Sequence, residues 1–193
     1  MKIALISVAP PFRGGISKHS SILIRELKKK HNVELINYSR QYPSFIFPGK
    51  TQFISGEKKY NSEMLLDSIN PINWYFVARR LILSNPDLII FRFWNPFFAI
   101  SLNIIAKLIK FKSPQIKLIS LCDNILPHET FPLSKYLTVS LFNKLDGHLV
   151  QSIQTKNELQ NIIDKPIYKK CYHPIYSNYP DKIDANKAKE ILD

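Results

Sequence analysis

Apolar and polar positions along the chain alternate between two periods. Short apolar runs of strand length are each followed by a segment whose apolar residues recur at helical spacing. The predicted strands are residues 3–8, 33–39, 87–93, 117–122, 147–151 and 167–172. Regular alternation of strands and helices predicts an α/β fold, a Rossmann-like open parallel sheet with helices on both faces.

Helix starts are marked by capping residues. Asn70-Pro71 and Asn95-Pro96 each have a capping side chain followed by proline, and Ser152 precedes another helical segment. A further helix is expected over 133–144. The helix after Asn95 runs to about residue 110 and is apolar on most faces, so it is either a core helix or a basic helix that partly faces a membrane.

Two glycines separate the first strand from the first helix. Gly14 and Gly15 let the backbone approach a ligand closely, and the helix that follows offers unpaired N–H groups to an anion such as phosphate. An ordinary tight strand-to-helix connection would have the same residues. The stretch from 40 to 54 mixes prolines with aromatic residues, which predicts a long loop.

The charge of the chain points to an anionic partner. Of 193 residues, 45% are hydrophobic and 22% are charged, as in ordinary globular proteins, but the net charge is +12. A membrane surface, a nucleotide or a phosphorylated substrate would each suit this charge. We expect no nucleic-acid partner because zinc-finger spacing, aromatic RNA-binding motifs and arginine-rich tracts are missing. A solvated lysine surface is the alternative.

The positions of the cysteines and histidines bear on the redox state of the thiols and on metal binding. Cys122 and Cys171 lie far apart in apolar runs, which favours reduced core thiols over a disulfide. The spacing of cysteines and histidines does not suggest a metal site, so no metal is expected. The chain starts without a signal-peptide pattern. We therefore expect a cytoplasmic protein, with peripheral contact at the inner face of a membrane as an open alternative.

Polar residues follow the strand at 117–122, where ligands bind in open parallel sheets. Asp123, Asn124, His128 and Glu129 could bind sugar hydroxyls or move a proton. Local hydrogen bonding within the loop, such as an Asx turn at Asp123, would explain the same residues. Arg40, beside the aromatic residues of the 40–54 loop, could bind a sugar or lipid acceptor, although such a loop often packs on the core.

Five motifs in this order resemble the N-terminal domain of family 4 glycosyltransferases, which are retaining GT-B enzymes. The resemblance covers residues 1 to about 179. It rests on Gly14-Gly15-Ile16 with His19, Arg40-Gln41-Tyr42-Pro43 with Phe47-Pro48-Gly49-Lys50, Phe93-Trp94-Asn95-Pro96-Phe97-Phe98, Cys122-Asp123-Asn124 with Pro127-His128-Glu129, and His173-Pro174-Ile175-Tyr176.

The resemblance implies a role for particular residues. Gly14, Gly15 and His19 would lie against the nucleotide-sugar donor, and Asp123 and His128 would contribute to catalysis. Arg40, Asn95, Asn124 and Glu129 would bind substrate. Cys122 stands where many relatives have histidine, which is a departure from the family pattern.

The resemblance also implies that half of the enzyme is missing. Residues 1–179 would form the acceptor-side domain, and 180–193 a linker and the start of a donor-binding domain. We expect no cofactor beyond the nucleotide-sugar substrate, a glycan or lipid-linked acceptor, and no activity of the chain alone. The alternatives are one subunit of a two-chain enzyme, or a non-catalytic module that binds anionic lipid or polysaccharide.

Overall fold

The structure is a computed structural model that describes residues 1–43, 51–54, 63–126, 133–173 and 184. His128, Glu129 and most of the segment expected to cross to a second domain lie outside these residues. The strands are β1 (Lys2–Ile6), β2 (Asn32–Arg40), β3 (Glu63–Asp67), β4 (Leu88–Phe93), β5 (Lys117–Cys122), β6 (Gly147–Val150) and β7 (Tyr168–Lys170). The helices are α1 (Gly15–Lys28), α2 (Pro71–Ser84), a 3-10 turn (Pro96–Phe98), α3 (Ala99–Lys112), α4 (Ser134–Phe142) and α5 (Ile153–Ile162).

The strands form one open sheet of seven strands in the order β3-β2-β1-β4-β5-β6-β7. Every pair of neighbours is parallel. The chain moves outward in one direction after β1 and in the other after β4, so the strand order reverses between these two strands. The sheet is therefore a Rossmann-like open parallel sheet, as the sequence predicts.

Two apolar layers cover the two faces of the sheet. On one face, alternate strand residues such as Ile6 and Phe91 pack with the buried residues of α2, α3, α4 and α5. On the other face, Leu5 and Ile90 pack with Ile24 of α1. Because successive side chains of a strand point to opposite faces, even-numbered β1 residues and odd-numbered β4 residues serve the larger layer.

Side-chain caps fix three helix starts as predicted. The Asn70 side chain accepts hydrogen bonds from the backbone N–H groups of Ile72 and Asn73 at the start of α2. Asn95 accepts from Phe97 N at 2.9 Å, and Ser152 accepts from Thr155 N at 3.0 Å. Each cap satisfies a backbone donor that the first turn of a helix leaves unpaired.

The sequence analysis missed strand β3 and overstated the burial of one thiol. Glu63–Asp67 has only three apolar residues, too few for its period to stand out, and it becomes a strand by pairing with β2 at the sheet edge. Cys122 is fully buried as expected, whereas Cys171 lies just after β7 and is only half-buried. Both cysteines are reduced.

None of the helices in the described part of the chain is long and apolar enough to cross a membrane. The predicted loop after β2 is described at its two ends, and both ends pack on the core. Tyr42 contacts Phe97 and Phe98, with ring centroids 5.5 and 5.1 Å away, and Phe53 contacts Phe12 at 4.8 Å. The described aromatic residues of this loop therefore serve packing.

Candidate functional site

The carboxyl ends of β1 and β4 meet at the point where the strand order reverses. In open parallel sheets this is where the connecting loops diverge and leave a crevice. Gly15 follows β1, Asn95 follows β4 and Asp123 follows β5, the next strand in the sheet. The topology therefore brings three of the predicted site residues to one edge of the sheet.

A buried arginine is the centre of this edge. Arg92, the penultimate residue of β4, is 1% exposed. Its Nε and Nη2 donate to the two carboxylate oxygens of Asp123, both at 2.7 Å. Nη2 also contacts His19 Nδ1 at 2.6 Å, while Nη1 donates to Ser20 Oγ at 3.0 Å and Ile16 O at 3.3 Å.

These contacts use all five N–H groups of the guanidinium. A side chain with every donor engaged has none left for a ligand, so Arg92 acts as a positioning residue. It ties the end of β4 to the first turns of α1 and to the loop after β5. The bidentate contact with Arg92 also sets the orientation of the Asp123 carboxylate.

His19 is held as a neutral imidazole. A guanidinium can only donate, so Nδ1 of His19 must accept, and the proton lies on Nε2. Burial, together with the charges of Arg92 and His173, lowers the pKa of His19 from 6.5 to about 4, against the opposing effect of Asp123. The ring of His173 packs on that of His19 with centroids 4.4 Å apart. At neutral pH His19 is therefore an uncharged hydrogen-bonding group.

Asp123 lies at the boundary between the core and solvent, with 15% of its side chain exposed. Helix α5 supports the loop that carries it. Thr155 Oγ1 lies 3.4 Å from the Asp123 carbonyl oxygen, and the Glu158 carboxylate accepts from the N–H groups of Ile125 and Leu126 at 3.3 and 3.4 Å. The carboxylate is thus fixed on one side by Arg92 and retains accessible surface on the other.

The loop before α1 is anchored by a buried amide. Asn37 of β2 accepts from Ala9 N at 3.1 Å and donates to Ala9 O at 3.2 Å. Gly14 has a φ of 112°, which side chains rarely allow, and a Cβ added at either Gly14 or Gly15 would meet no atom within 4 Å. Gly14 has no side chain to cap α1. Gly14 and Gly15 are exposed, so the start of α1 presents backbone N–H groups and the positive end of the helix dipole at the sheet edge.

Three side chains here could in principle approach a metal ion. Ligand atoms of His19, Asp123 and His173 lie within 4.8 Å of one another. However, His19 Nδ1 and both oxygens of Asp123 already accept from Arg92, whose positive charge would repel a second cation. This arrangement favours a neutral polar or anionic ligand over a metal.

Two of the other predicted site residues, Arg40 and Asn95, have partners within the fold. Arg40, at the end of β2, forms an ion pair with Asp67 of β3 and is half exposed. Asn95 caps the 3-10 turn. Asn124 is exposed beside Asp123. The structure therefore places Arg40 and Asn95 at the same sheet edge but engages their side chains in contacts within the fold.

The sequence analysis missed Arg92 and Asn37. Arg92 lies inside a run whose apolar residues predict a buried strand, and a charged residue there is itself a signal, since arginine is rarely buried without a partner. Asn37 lies in the same way inside β2. Both could have been found by asking which polar side chains a buried strand carries.

Solved structures of other proteins share the fold. A UDP-N-acetylglucosamine 2-epimerase from Rickettsia bellii superposes with a TM-score of 0.54 and 12% identity, over 88% of this chain and 43% of the epimerase. An alpha-glucosyltransferase, solved with UDP and a 13-mer DNA containing an A:G mismatch, superposes with a TM-score of 0.51 and 14% identity, over 88% of this chain and 40% of that one. No protein-family model matches the sequence, nor does any curated protein.

At these identities the similarity establishes the fold. The chain spans about two fifths of the length of each neighbour. The chain is a Rossmann-like α/β domain, a fold that it shares with part of each of these two structures.

Proposed function

We propose that the chain forms the acceptor-side half of a glycosyltransferase, which moves a sugar from a nucleotide-sugar donor to a glycan or lipid-linked acceptor. The observation that carries the proposal is the Arg92 cluster, which fixes Asp123 and His19 beside the exposed start of α1. The solved neighbours support it, because one is an epimerase of a UDP-sugar and the other is a glucosyltransferase solved in complex with UDP. Membership of family 4, and with it retention of configuration, rests on the five sequence motifs.

Each part of this edge suits one part of such a substrate. The first turn of α1 offers backbone N–H groups and a positive dipole end to a diphosphate. Asp123 offers carboxylate lone pairs to an acceptor hydroxyl, and Arg92 stabilises the charge that remains on the carboxylate. His19 is neutral, so it contributes a hydrogen bond rather than a charge. We propose Asn124 as a second contact to the acceptor.

His128 and Glu129 belong to the same proposed acceptor region. They follow Leu126 in sequence, just after the loop that Glu158 holds. We propose that His128 transfers a proton and that Glu129 binds a hydroxyl group of the acceptor. Arg40 and Asn95 keep proposed substrate roles only if a ligand displaces their present partners, the Asp67 carboxylate and the Phe97 N–H group.

Sugar transfer needs a second wall opposite this edge. The donor must be held within near-attack distance of the acceptor, and one open edge cannot fix both molecules. We propose that a donor-binding domain supplies the other wall, either as a further part of the same protein or as a partner chain. The share of the neighbours that this chain covers, 43% and 40%, is consistent with one of two domains.

Substitution of Gly15 tests the proposed diphosphate contact. A side chain at this position meets open space, so Gly15→Asp and Gly15→Asn should both fold. The new carboxylate should repel a diphosphate and reduce UDP-sugar binding about tenfold more than the neutral amide of the same size. Ligand-observed NMR with UDP, UDP-glucose and UDP-N-acetylglucosamine at millimolar concentration measures this difference. Equal binding by the two variants would contradict the contact.

A turnover assay tests the proposed need for a second domain. We expect the chain alone to show neither hydrolysis nor transfer of UDP-sugars. Robust turnover by the isolated chain would overturn the half-site proposal. If a donor-binding partner restores transfer, Asp123→Asn should lower the rate, whereas Asp164→Asn, an exposed carboxylate between α5 and β7, should leave it unchanged.

A binding module without catalysis is the second candidate. The exposed apolar and basic surface of α2 and α3, described below, favours it. Vesicle binding by the chain, with no UDP-sugar binding even beside a donor domain, would support this candidate over the enzyme.

A further inference from the structure

Helices α2 and α3 lie side by side and each carries an exposed stripe of the same composition. In α2 the stripe is Ile72, Phe76, Arg79 and Leu83; in α3 it is Ile100, Ile104, Lys107 and Phe111. Both stripes have the spacing i, i+4, i+7, i+11, which places four residues on one face of a helix. In both, a basic residue occupies the third position among three apolar ones.

The apolar members of the stripes are unusually exposed. Ile72, Leu83 and Phe111 are 71%, 71% and 77% accessible, and Phe76 is 56% accessible. Tyr75, next to Phe76, is 53% accessible. The buried faces of the two helices are also apolar, so these side chains are additional to those of the core. Several large exposed apolar side chains on two neighbouring helices are typical of an interaction surface.

The charge of this surface identifies the kind of partner. The two helices contain five cations, Arg79, Arg80, Lys107, Lys110 and Lys112, and no acidic residue. Arg80 pairs with Glu34 and Lys110 with Asp146. Among the described residues, no ion pair involves Arg79, Lys107 or Lys112. Within the described ranges, this surface therefore carries three cations without an ion-pair partner among its apolar side chains.

A shallow apolar groove joins the two helices. It is lined by Tyr75, Ala78, Ile82, Leu83 and Leu108, with Arg79 and Lys112 at its rim, and has a volume of about 290 Å³. The Lys112 ammonium lies 5.2 Å from the centre of the exposed Phe111 ring. Aromatic rings beside flexible cations suit the boundary between lipid headgroups and acyl chains, where the rings insert and the cations reach the phosphates.

We infer that the α2–α3 face docks on the surface of an anionic lipid bilayer. A second copy of this chain fits less well, because two faces of the same positive charge would repel each other, and each chain carries a net charge of +12. An anionic bilayer satisfies both the apolar and the basic character of the face. The inference does not rest on the proposed enzymatic function, since vesicle binding is measured without turnover.

Vesicle co-sedimentation tests the charge of the face. The protein should bind phosphatidylcholine vesicles that contain phosphatidylglycerol, bind pure phosphatidylcholine much less, and be released by salt. Each basic residue near an anionic surface strengthens partitioning roughly fivefold. Arg79→Glu combined with Lys107→Glu should therefore weaken binding by about tenfold or more. The matched control, Lys28→Glu with Lys30→Glu, changes the net charge equally at the end of α1 and should weaken binding much less.

A second pair of variants tests the apolar part. Phe76→Ser with Phe111→Ser should weaken binding to anionic vesicles, whereas Ile153→Ser with Ile167→Ser, which removes equally exposed apolar residues elsewhere, should not. Circular dichroism and thermal unfolding show whether each variant is folded.

Three results would overturn the inference. The first is that the wild-type protein ignores anionic vesicles. The second is an equal loss of binding in the α2–α3 variants and their controls, which would assign binding to net charge alone. The third is a dimer in analytical ultracentrifugation that the α2–α3 variants abolish, which would make a second copy the occupant of the face.

Discussion

Two regions of this domain invert the usual distribution of side chains. At the carboxyl ends of β4 and β5, the Arg92 guanidinium is buried against α1, and its partner Asp123 is only 15% exposed. On the opposite side of the sheet, α2 and α3 expose large apolar residues such as Phe111 to solvent. Burying a charge and exposing an apolar surface both cost free energy.

The two regions differ in how their cost is offset. The Arg92 guanidinium has all five donors satisfied within the protein, so the cluster is complete without a partner. The α2–α3 face has no comparable compensation among the described residues. The buried cluster therefore positions the residues of a site, whereas the exposed α2–α3 face is suited to contact with an external surface.

The largest expected effect comes from breaking the buried pair. Asp123→Leu leaves the Arg92 charge buried without its carboxylate, which should cost about 3–5 kcal/mol in the free energy of unfolding. The double variant Arg92→Met with Asp123→Leu should recover most of this loss, because no unpaired charge remains. Urea denaturation of both single variants and the double variant measures the coupling. A double variant as unstable as the sum of the singles would contradict the pairing.

A second effect should appear as the pH is lowered. Burial lowers the pKa values of His19 and His148 from 6.5 to about 4. The folded state therefore binds fewer protons than the unfolded state between these values. Stability is fully present above pH 6.5 and falls as the pH drops toward 4. Denaturation midpoints across this range measure the slope, and His148→Gln should make it shallower without affecting UDP-sugar binding. An unchanged slope would argue against neutral, buried His148.

A smaller effect separates the two glycines at the start of α1. Gly14→Ala should cost about 1–3 kcal/mol because its φ of 112° is strained for a side chain. Gly15→Ala should be nearly neutral, since Gly15 is already helical and its Cβ would meet open space. Thermal unfolding of the two variants compares them directly. Similar losses at both positions would show that the φ of Gly14 is not the cause.

The smallest expected effect is on the exposed face. Phe111→Ser and Ile72→Ser should change the free energy of unfolding by no more than about 0.5 kcal/mol, because both side chains are more than two-thirds exposed. Their vesicle binding should fall even so. If either substitution destabilises the fold as a core substitution would, the residue serves packing and not docking.

The fold follows from the sequence wherever local signals agree. The strands β1, β4 and β5 are mainly apolar runs, and the caps Asn70, Asn95 and Ser152 mark helix starts. Strand β3 could not be found in the same way. Its apolar residues are few, and its pairing with β2 is a long-range contact that the local sequence does not encode.

The sheet edge that carries the site could be predicted from the sequence, but the hydrogen-bond network around Arg92 could not. Gly14, Gly15 and Asp123 follow strands, so parallel topology predicts that they share one edge. The contact of Arg92 with His19 joins residues 73 positions apart, and only the packing of α1 over β4 brings them together. The capping role of Asn95 was visible in the sequence, and this role accounts for its side chain in the structure.

Amide chemical-shift mapping tests the central claim most directly, that the edge built on Arg92 is the ligand-binding wall. The isotope-labelled chain is titrated with UDP-glucose, with glucose and inorganic phosphate as controls. The account predicts that the largest shifts lie at Gly14, Gly15 and His19, with smaller shifts at Asp123 and Asn124, and that Gly15→Asp abolishes them. Shifts confined to other parts of the sheet, or no shifts at millimolar UDP-glucose, would contradict it.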